Sequence, residues 1–169
     1  MDLGQLEMDG DPVLLRRAEI ADVPALVALL AADQLGISRD GIDGPDGIGP
    51  YQRAFAAIDA DPAHLLVVGT RGDAVVATLQ LTVLPGLARR GASRLQIEAV
   101  RVSSDLRGRG LGEALLRWSV DQARTHGCAL VQLTSDKTRT EAHRFYSRLG
   151  LSSTAAAPGF RTGWTAAVL

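Results

Sequence analysis

Leu95-Gln96-Ile97-Glu98-Ala99-Val100-Arg101-Val102, followed by Ser103-Ser104-Asp105-Leu106-Arg107-Gly108-Arg109-Gly110-Leu111-Gly112, is the stretch on which the fold turns. Its first half is rich in β-branched and aliphatic residues and reads as a strand. A regular strand alternates faces with period two. Leu95 and Ile97 share one face of such a strand, whereas Val100 and Val102 fall on the other. All four can meet one core only if an extra residue is accommodated near Glu98-Ala99, as a β-bulge. A strand buried on both faces accounts for the same pattern without a bulge. A bulge would free backbone N–H and C=O groups to bond a ligand lying alongside or to polarise a carbonyl placed there.

The second half is a glycine-rich turn that opens a helix. Glycines at 108, 110 and 112 let the backbone approach a ligand closely. A helix start adds unsatisfied amides and a partial positive charge. Together they make an anion site, and Arg107 and Arg109 add two cationic side chains suited to phosphate oxygens. The turn is not a P-loop, because no Gly-Lys-Ser/Thr follows the last glycine. It is not a dinucleotide fingerprint either, because Glu113 stands where glycine or alanine is needed.

Outward from this unit the chain reads as a succession of short elements. Residues 1–12 read as a loose tail, and Val13 to Ala18 as a first strand. Asp22 with Pro24 starts a helix carrying Leu26, Leu29 and Leu30. Gly36 to Pro50 reads as a flexible connection and Tyr51 to Ala60 as a second helix. Leu65 to Thr70 and Ala74 to Leu84, around Arg71-Gly72-Asp73, predict an antiparallel hairpin. Pro85 to Ser93 is a loop with Arg89 and Arg90.

Gly110 to Thr125 predicts the clearest helix, with Leu111, Ala114, Leu115, Trp118 and Gln122 on one side and Glu113, Arg117, Asp121 and Arg124 on the other. Cys128 to Thr134 is expected to be a strand buried on both faces. A helix over about Thr140 to Leu149 has Ala142, Phe145 and Leu149 as its apolar stripe, and Phe160 to Val168 is a final strand.

Arg107-Gly108-Arg109-Gly110-Leu111-Gly112 resembles the Gln/Arg-x-x-Gly-x-Gly/Ala signature of the GNAT (GCN5-related N-acetyltransferase) family. Glu141 to Leu151, with Phe145-Tyr146 before Gly150-Leu151, is similar to that family's second signature, a helix ending Phe/Leu-Tyr-x-x-x-Gly-Phe. The resemblance runs from about Val13 onward and is densest from Ile97 to Leu151. It implies an α/β acyl-CoA N-acyltransferase fold: a mixed, mostly antiparallel sheet, helices on both faces, and a central parallel pair, Leu95–Val102 and Cys128–Thr134, that splays near the bulge.

The resemblance also implies acetyl-CoA as cosubstrate, with no metal. Its pyrophosphate would lie on Arg107, Gly108, Arg109, Gly110, Leu111, Gly112 and Glu113, and its pantetheine arm on the backbone of Ala99, Val100, Arg101 and Val102. Tyr146 would protonate the departing thiolate. Arg139 stands where family members often carry a cofactor-binding Asn, and it and His143 are candidate cofactor contacts. Glu98 is the candidate base for the attacking amine, or else a paired carboxylate of a polar groove.

The expected reaction is acetyl transfer to a primary amine of a small molecule or protein by direct attack in a ternary complex. A non-catalytic acyl-CoA-binding module is the alternative, and a nucleotide-binding protein of another fold a third.

Whole-chain properties agree with one folded domain over residues 13–169. The 169 residues are 46% hydrophobic and 22% charged, with a formal charge of -1, so no global field draws the chain to nucleic acid or anionic lipid. The single cysteine, Cys128, sits in an apolar run and reads as a buried small hydrophobe. One thiol forms no internal disulfide, which favours a reducing compartment. The first ten residues carry acidic groups and no basic ones, unlike a signal peptide. No apolar run suits a membrane span. A cytoplasmic protein, with a homodimer by family likeness alone, is the expectation.

Overall fold

The computed structural model describes residues 1–8, 10–32, 40–42, 46–136, 138–154 and 162–167. They form an α/β fold with eight strands: β1 (Asp2–Leu6), β2 (Val13–Arg17), β3 (His64–Arg71), β4 (Ala74–Leu84), β5 (Arg94–Val102), β6 (Leu130–Ser135), β7 (Ser152–Thr154) and β8 (Thr162–Ala167). The helices are α1 (Val23–Ala31), α2 (Gly49–Ala60), the single turn α3 (Ala88–Gly91), α4 (Leu111–Thr125) and α5 (Thr140–Arg148). The strand order is β1-β2-β3-β4-β5-β6-β8-β7. β1 with β2, β2 with β3, β6 with β8 and β7 with β8 run antiparallel, and β5 with β6 runs parallel. The helical crossover that a parallel pair requires is α4.

Two compact units divide the chain. The first comprises Met1–Gln80 with Ala99–Leu115, the second Leu81–Glu98 with Leu116–Leu169. In the first, β2 alternates as a half-buried strand should: Val13 and Leu15 are fully buried and Leu14 is exposed. α1 begins with proline in its first turn, where the missing N–H is no loss. Its residues Val23, Leu26 and Val27 pack with Phe55 of α2 and Val68 of β3. Burial of each such side chain contributes about 2 kcal/mol. The guanidinium of Arg16 reaches from β2 to Asp22 just ahead of α1, fixing the helix start against the sheet.

In the second unit, β5 and β6 are in register from Arg94↔Leu130 to Ile97↔Leu133. The Gln132 amide donates to the Gln96 side chain at 2.5 Å across this pair. The paired register ends at Ile97, although β5 continues to Val102 and β6 to Ser135.

Several expectations are corrected. The N-terminal stretch expected to be loose carries β1, where Leu6 is buried and Gly4, at φ 107, sits beside a register slip. Its sequence has little strand propensity and is held by pairing to β2. β6 alternates rather than being buried on both faces, with Val131, Leu133 and Ser135 buried and Thr134 exposed.

The buried face of α4 is Leu111, Leu115, Leu116, Ser119 and Ala123, while Trp118 and Gln122 are half-buried. On α5 the buried residue is Tyr146, flanked by half-buried Ala142, Phe145 and Leu149. In both helices tertiary packing rotates the buried stripe from the most apolar one. The expected connection Gly36 to Pro50 falls largely outside the described residues, as does the start of the final strand.

Candidate active site

In the first unit the candidate site begins at Ala99. This alanine has φ 52 inside an otherwise extended strand. A left-handed residue within a strand is the backbone signature of a bulge. Before it, Leu95 and Ile97 are buried and Glu98 is exposed; after it, Val100, Arg101 and Val102 are all half-buried. The alternation therefore breaks where the phase of the apolar residues predicts. Alanine in this region is strained by roughly 1 kcal/mol.

β5 is followed by Ser103, whose amide donates to the Val76 carbonyl at 2.8 Å. A short 3-10 turn, Ser104–Leu106, then anchors through fully buried Leu106. The chain next makes the glycine turn. Gly108 and Gly110 have φ 76 and 87, conformations that cost any other residue strain. A Cβ at either position would meet nothing within 4 Å, so open space lies over both. Arg107, Gly108, Arg109 and Gly110 are exposed, Leu111 is buried, and Gly112 and Glu113 are half-buried.

The first carbonyl of the α4 ladder is that of Gly110, which accepts from the Ala114 amide at 3.0 Å. The amides of Leu111, Gly112 and Glu113 thus stand ahead of the helical ladder, as at any helix start. Arg107 Nε donates to the Val102 carbonyl at 3.2 Å, tying the turn to the end of β5. Asp105 is held below the usual carboxylate range, by the Ser103 hydroxyl first and its own backbone amide second. The charges of Arg109 and Arg71 add to this.

In the second unit, Arg139, His143 and Tyr146 follow one another along α5. The His143 amide donates to the Arg139 carbonyl at 3.0 Å, and His143 Nε2 lies 3.0 Å from the Asp136 carbonyl. Trp164 of β8 packs against both rings, 5.4 Å from His143 and 5.6 Å from Tyr146 between centroids. Phe145 flanks Tyr146 at 5.6 Å. Tyr146 is 9% exposed, so aromatic packing fixes its ring. Glu98 also belongs to this unit and is exposed on β5. Trp164 was not legible as a site residue. Its only sequence signal is an aromatic in an apolar C-terminal run.

Cys128 is buried, and burial pushes its thiol above the ordinary range. Among the described residues, no cluster of three or more His, Cys, Asp or Glu side chains is arranged to hold a metal ion. No helix among them is long and apolar enough to cross a membrane.

A bulged strand leads through a glycine- and arginine-rich turn into a helix, and the comparisons assign this arrangement to an acyltransferase class. The Acetyltransferase (GNAT) family profile matches residues 34–151, and the chain belongs to that family. It is 30% identical to streptothricin acetyltransferase of Streptomyces lavendulae over 152 residues, which cover 88% of this chain and 67% of that one. Among solved structures it resembles a transcriptional regulator from Bacillus halodurans C-125, with TM-score 0.81 and 38% identity over 88% of this chain and 98% of that one. It shares its fold with Mycobacterium smegmatis RimJ in complex with CoA-disulfide, at TM-score 0.75 and 17% identity, covering 99% of this chain and 87% of that one.

Proposed function

We propose that this GNAT-family protein transfers the acetyl group of acetyl-CoA to a primary amine of a small molecule or protein, by direct attack in a ternary complex. The observation that carries the reading is the turn: open space over Gly108 and Gly110, exposed Arg107 and Arg109, and helix-start amides at Leu111 to Glu113. That combination suits a diphosphate. The backbone of Ala99 to Val102 serves the pantetheine arm, and Arg139 and His143 are further cofactor contacts.

The amine nitrogen forms a bond to the thioester carbonyl carbon, and the carbon–sulfur bond breaks. Tyr146 gives its proton to the leaving sulfur, and Glu98 takes the proton lost by the amine, directly or through water. Positioning and electrostatic stabilisation supply most of the rate. The family's use of acetyl-CoA, a relative named streptothricin acetyltransferase and a structural neighbour in complex with CoA-disulfide support this reading. We read the enzyme as cytoplasmic from its single buried thiol, and as a homodimer from family likeness.

The test is calorimetric titration of CoA into the wild type and Gly110→Ala, with thiol release from acetyl-CoA measured across a panel of amines. Gly110→Ala places a methyl group in the open space and is expected to weaken CoA binding about tenfold or more. Wild-type affinity in this variant sinks the assignment of the turn. Binding without turnover on any amine makes the chain a CoA-binding module.

A further inference from the structure

The first unit carries a cleft of about 140 Å³ that is partly open to solvent. Leu26 and Leu30 of α1, Tyr51, Phe55 and Ile58 of α2, and Ala99 at the bulge of β5 line it. Among the described residues, no lysine, arginine, aspartate or glutamate does. Its polar groups are mostly engaged elsewhere. The Thr78 hydroxyl donates to the Val67 carbonyl at 2.8 Å, and the Tyr51 hydroxyl accepts from the Gly41 amide at 2.9 Å and faces Asp40 at 3.5 Å. Gln80 is the remaining polar residue among the described residues of the lining.

A concave, mostly apolar surface next to a reactive backbone segment is the usual form of a small-molecule site. An apolar cleft bounded by two helices and the bulged strand points to a ligand with an apolar body. The occupant's chemistry follows from the walls. A charged group placed there would lose its hydration and find no partner, whereas an apolar group gains by leaving water. Size narrows the choice: an engineered apolar cavity of about 150 Å³ takes benzene.

We propose that this cavity receives an uncharged apolar group of the acceptor amine, the size of a phenyl ring or a branched alkyl chain. The proposal rests on the acyl-transfer reading for the word acceptor. Ala99 joins the two, since it lines the cavity and opens the backbone segment assigned to the pantetheine arm. The amino group itself stays outside the apolar walls. The substrate class is thus amines with an aryl or branched alkyl body.

The test is calorimetric titration of the full chain with 2-phenylethylamine and with ethylamine. The aryl amine is expected to bind about tenfold tighter or more. Ala54 lines the cavity from an exposed position on α2, so Ala54→Phe fills it with little threat to folding, and Ala54→Leu fills it in part. Both should erode the preference in order of size, with CoA affinity and melting temperature unchanged. Equal affinity for the two amines, or a preference that survives Ala54→Phe, overturns the proposal. Thiol release from acetyl-CoA is measured separately with 2-phenylethylamine. Selective binding without release overturns the acyl-transfer reading and the acceptor role, while the ligand class of the cavity stands.

Discussion

Arg16 meets Asp22 twice, Nη1 to Oδ2 at 2.7 Å and Nη2 to Oδ1 at 2.8 Å, and the Glu19 amide donates to the same Oδ2 at 2.7 Å. This bidentate clamp lowers the Asp22 carboxyl below its ordinary range, chiefly through the Arg16 hydrogen bonds, with burial opposing and the Glu19 amide assisting. It raises Arg16 correspondingly. Because the folded value is depressed, the stabilisation is complete above the unfolded aspartate value, about pH 4. It is lost as pH falls through the lower folded value. Asp22→Asn should cost about 2 kcal/mol near neutrality. The gap between variant and wild type in urea unfolding should close as pH falls from about 4 through the lower folded value. A gap unchanged at low pH would assign the loss to shape rather than charge.

Ala99 offers a second measurement. Its left-handed backbone tolerates glycine without strain and penalises a β-branched side chain most. Ala99→Gly is expected to leave the melting temperature within a few degrees of the wild type. Ala99→Val should lose about 2 kcal/mol or more. Equal behaviour of the two variants would show that the strand is regular at this position.

Tyr146→Phe removes one hydroxyl from a ring fixed by Trp164 and Phe145. If the hydroxyl is the acid, kcat should fall by about 10²–10⁴. CoA affinity and thermal stability should change little. A variant with undiminished kcat at all pH values would remove Tyr146 from the chemistry.

Cys128 should be inert. Buried and with its thiol pushed upward, it has little reactive thiolate in the native state. A thiol reagent should label it only as the protein unfolds, and Cys128→Ala should keep full turnover at a stability cost of about 1 kcal/mol. Rapid labelling of the folded protein would contradict this.

The parts of the fold that were legible in the sequence are those specified locally. β5 was read to within one residue of its observed bounds because β-rich residues and flanking loop signals agree, and the slip from Ile97 to Val100 marked the distortion at Ala99. The arginine turn was legible because Gly108 and Gly110 are needed for their backbone angles. What was missed depends on contacts between distant residues. Ser119 is buried by what packs on α4, and nothing in its own helix reveals it. Trp164 meets His143 and Tyr146 only once β8 has paired with β6. The apolar cavity likewise exists only when α1, α2 and Ala99 are assembled.

The margins of the sheet carry a last consequence. An outermost strand with a straight, unpaired backbone is a template on which other chains can add. Here one margin is β1, with a carboxylate at Asp2 and a register slip around Gly4, and the other is β7, only three residues long. Neither offers a long regular ladder. Growth of strand-to-strand aggregates from these borders is disfavoured.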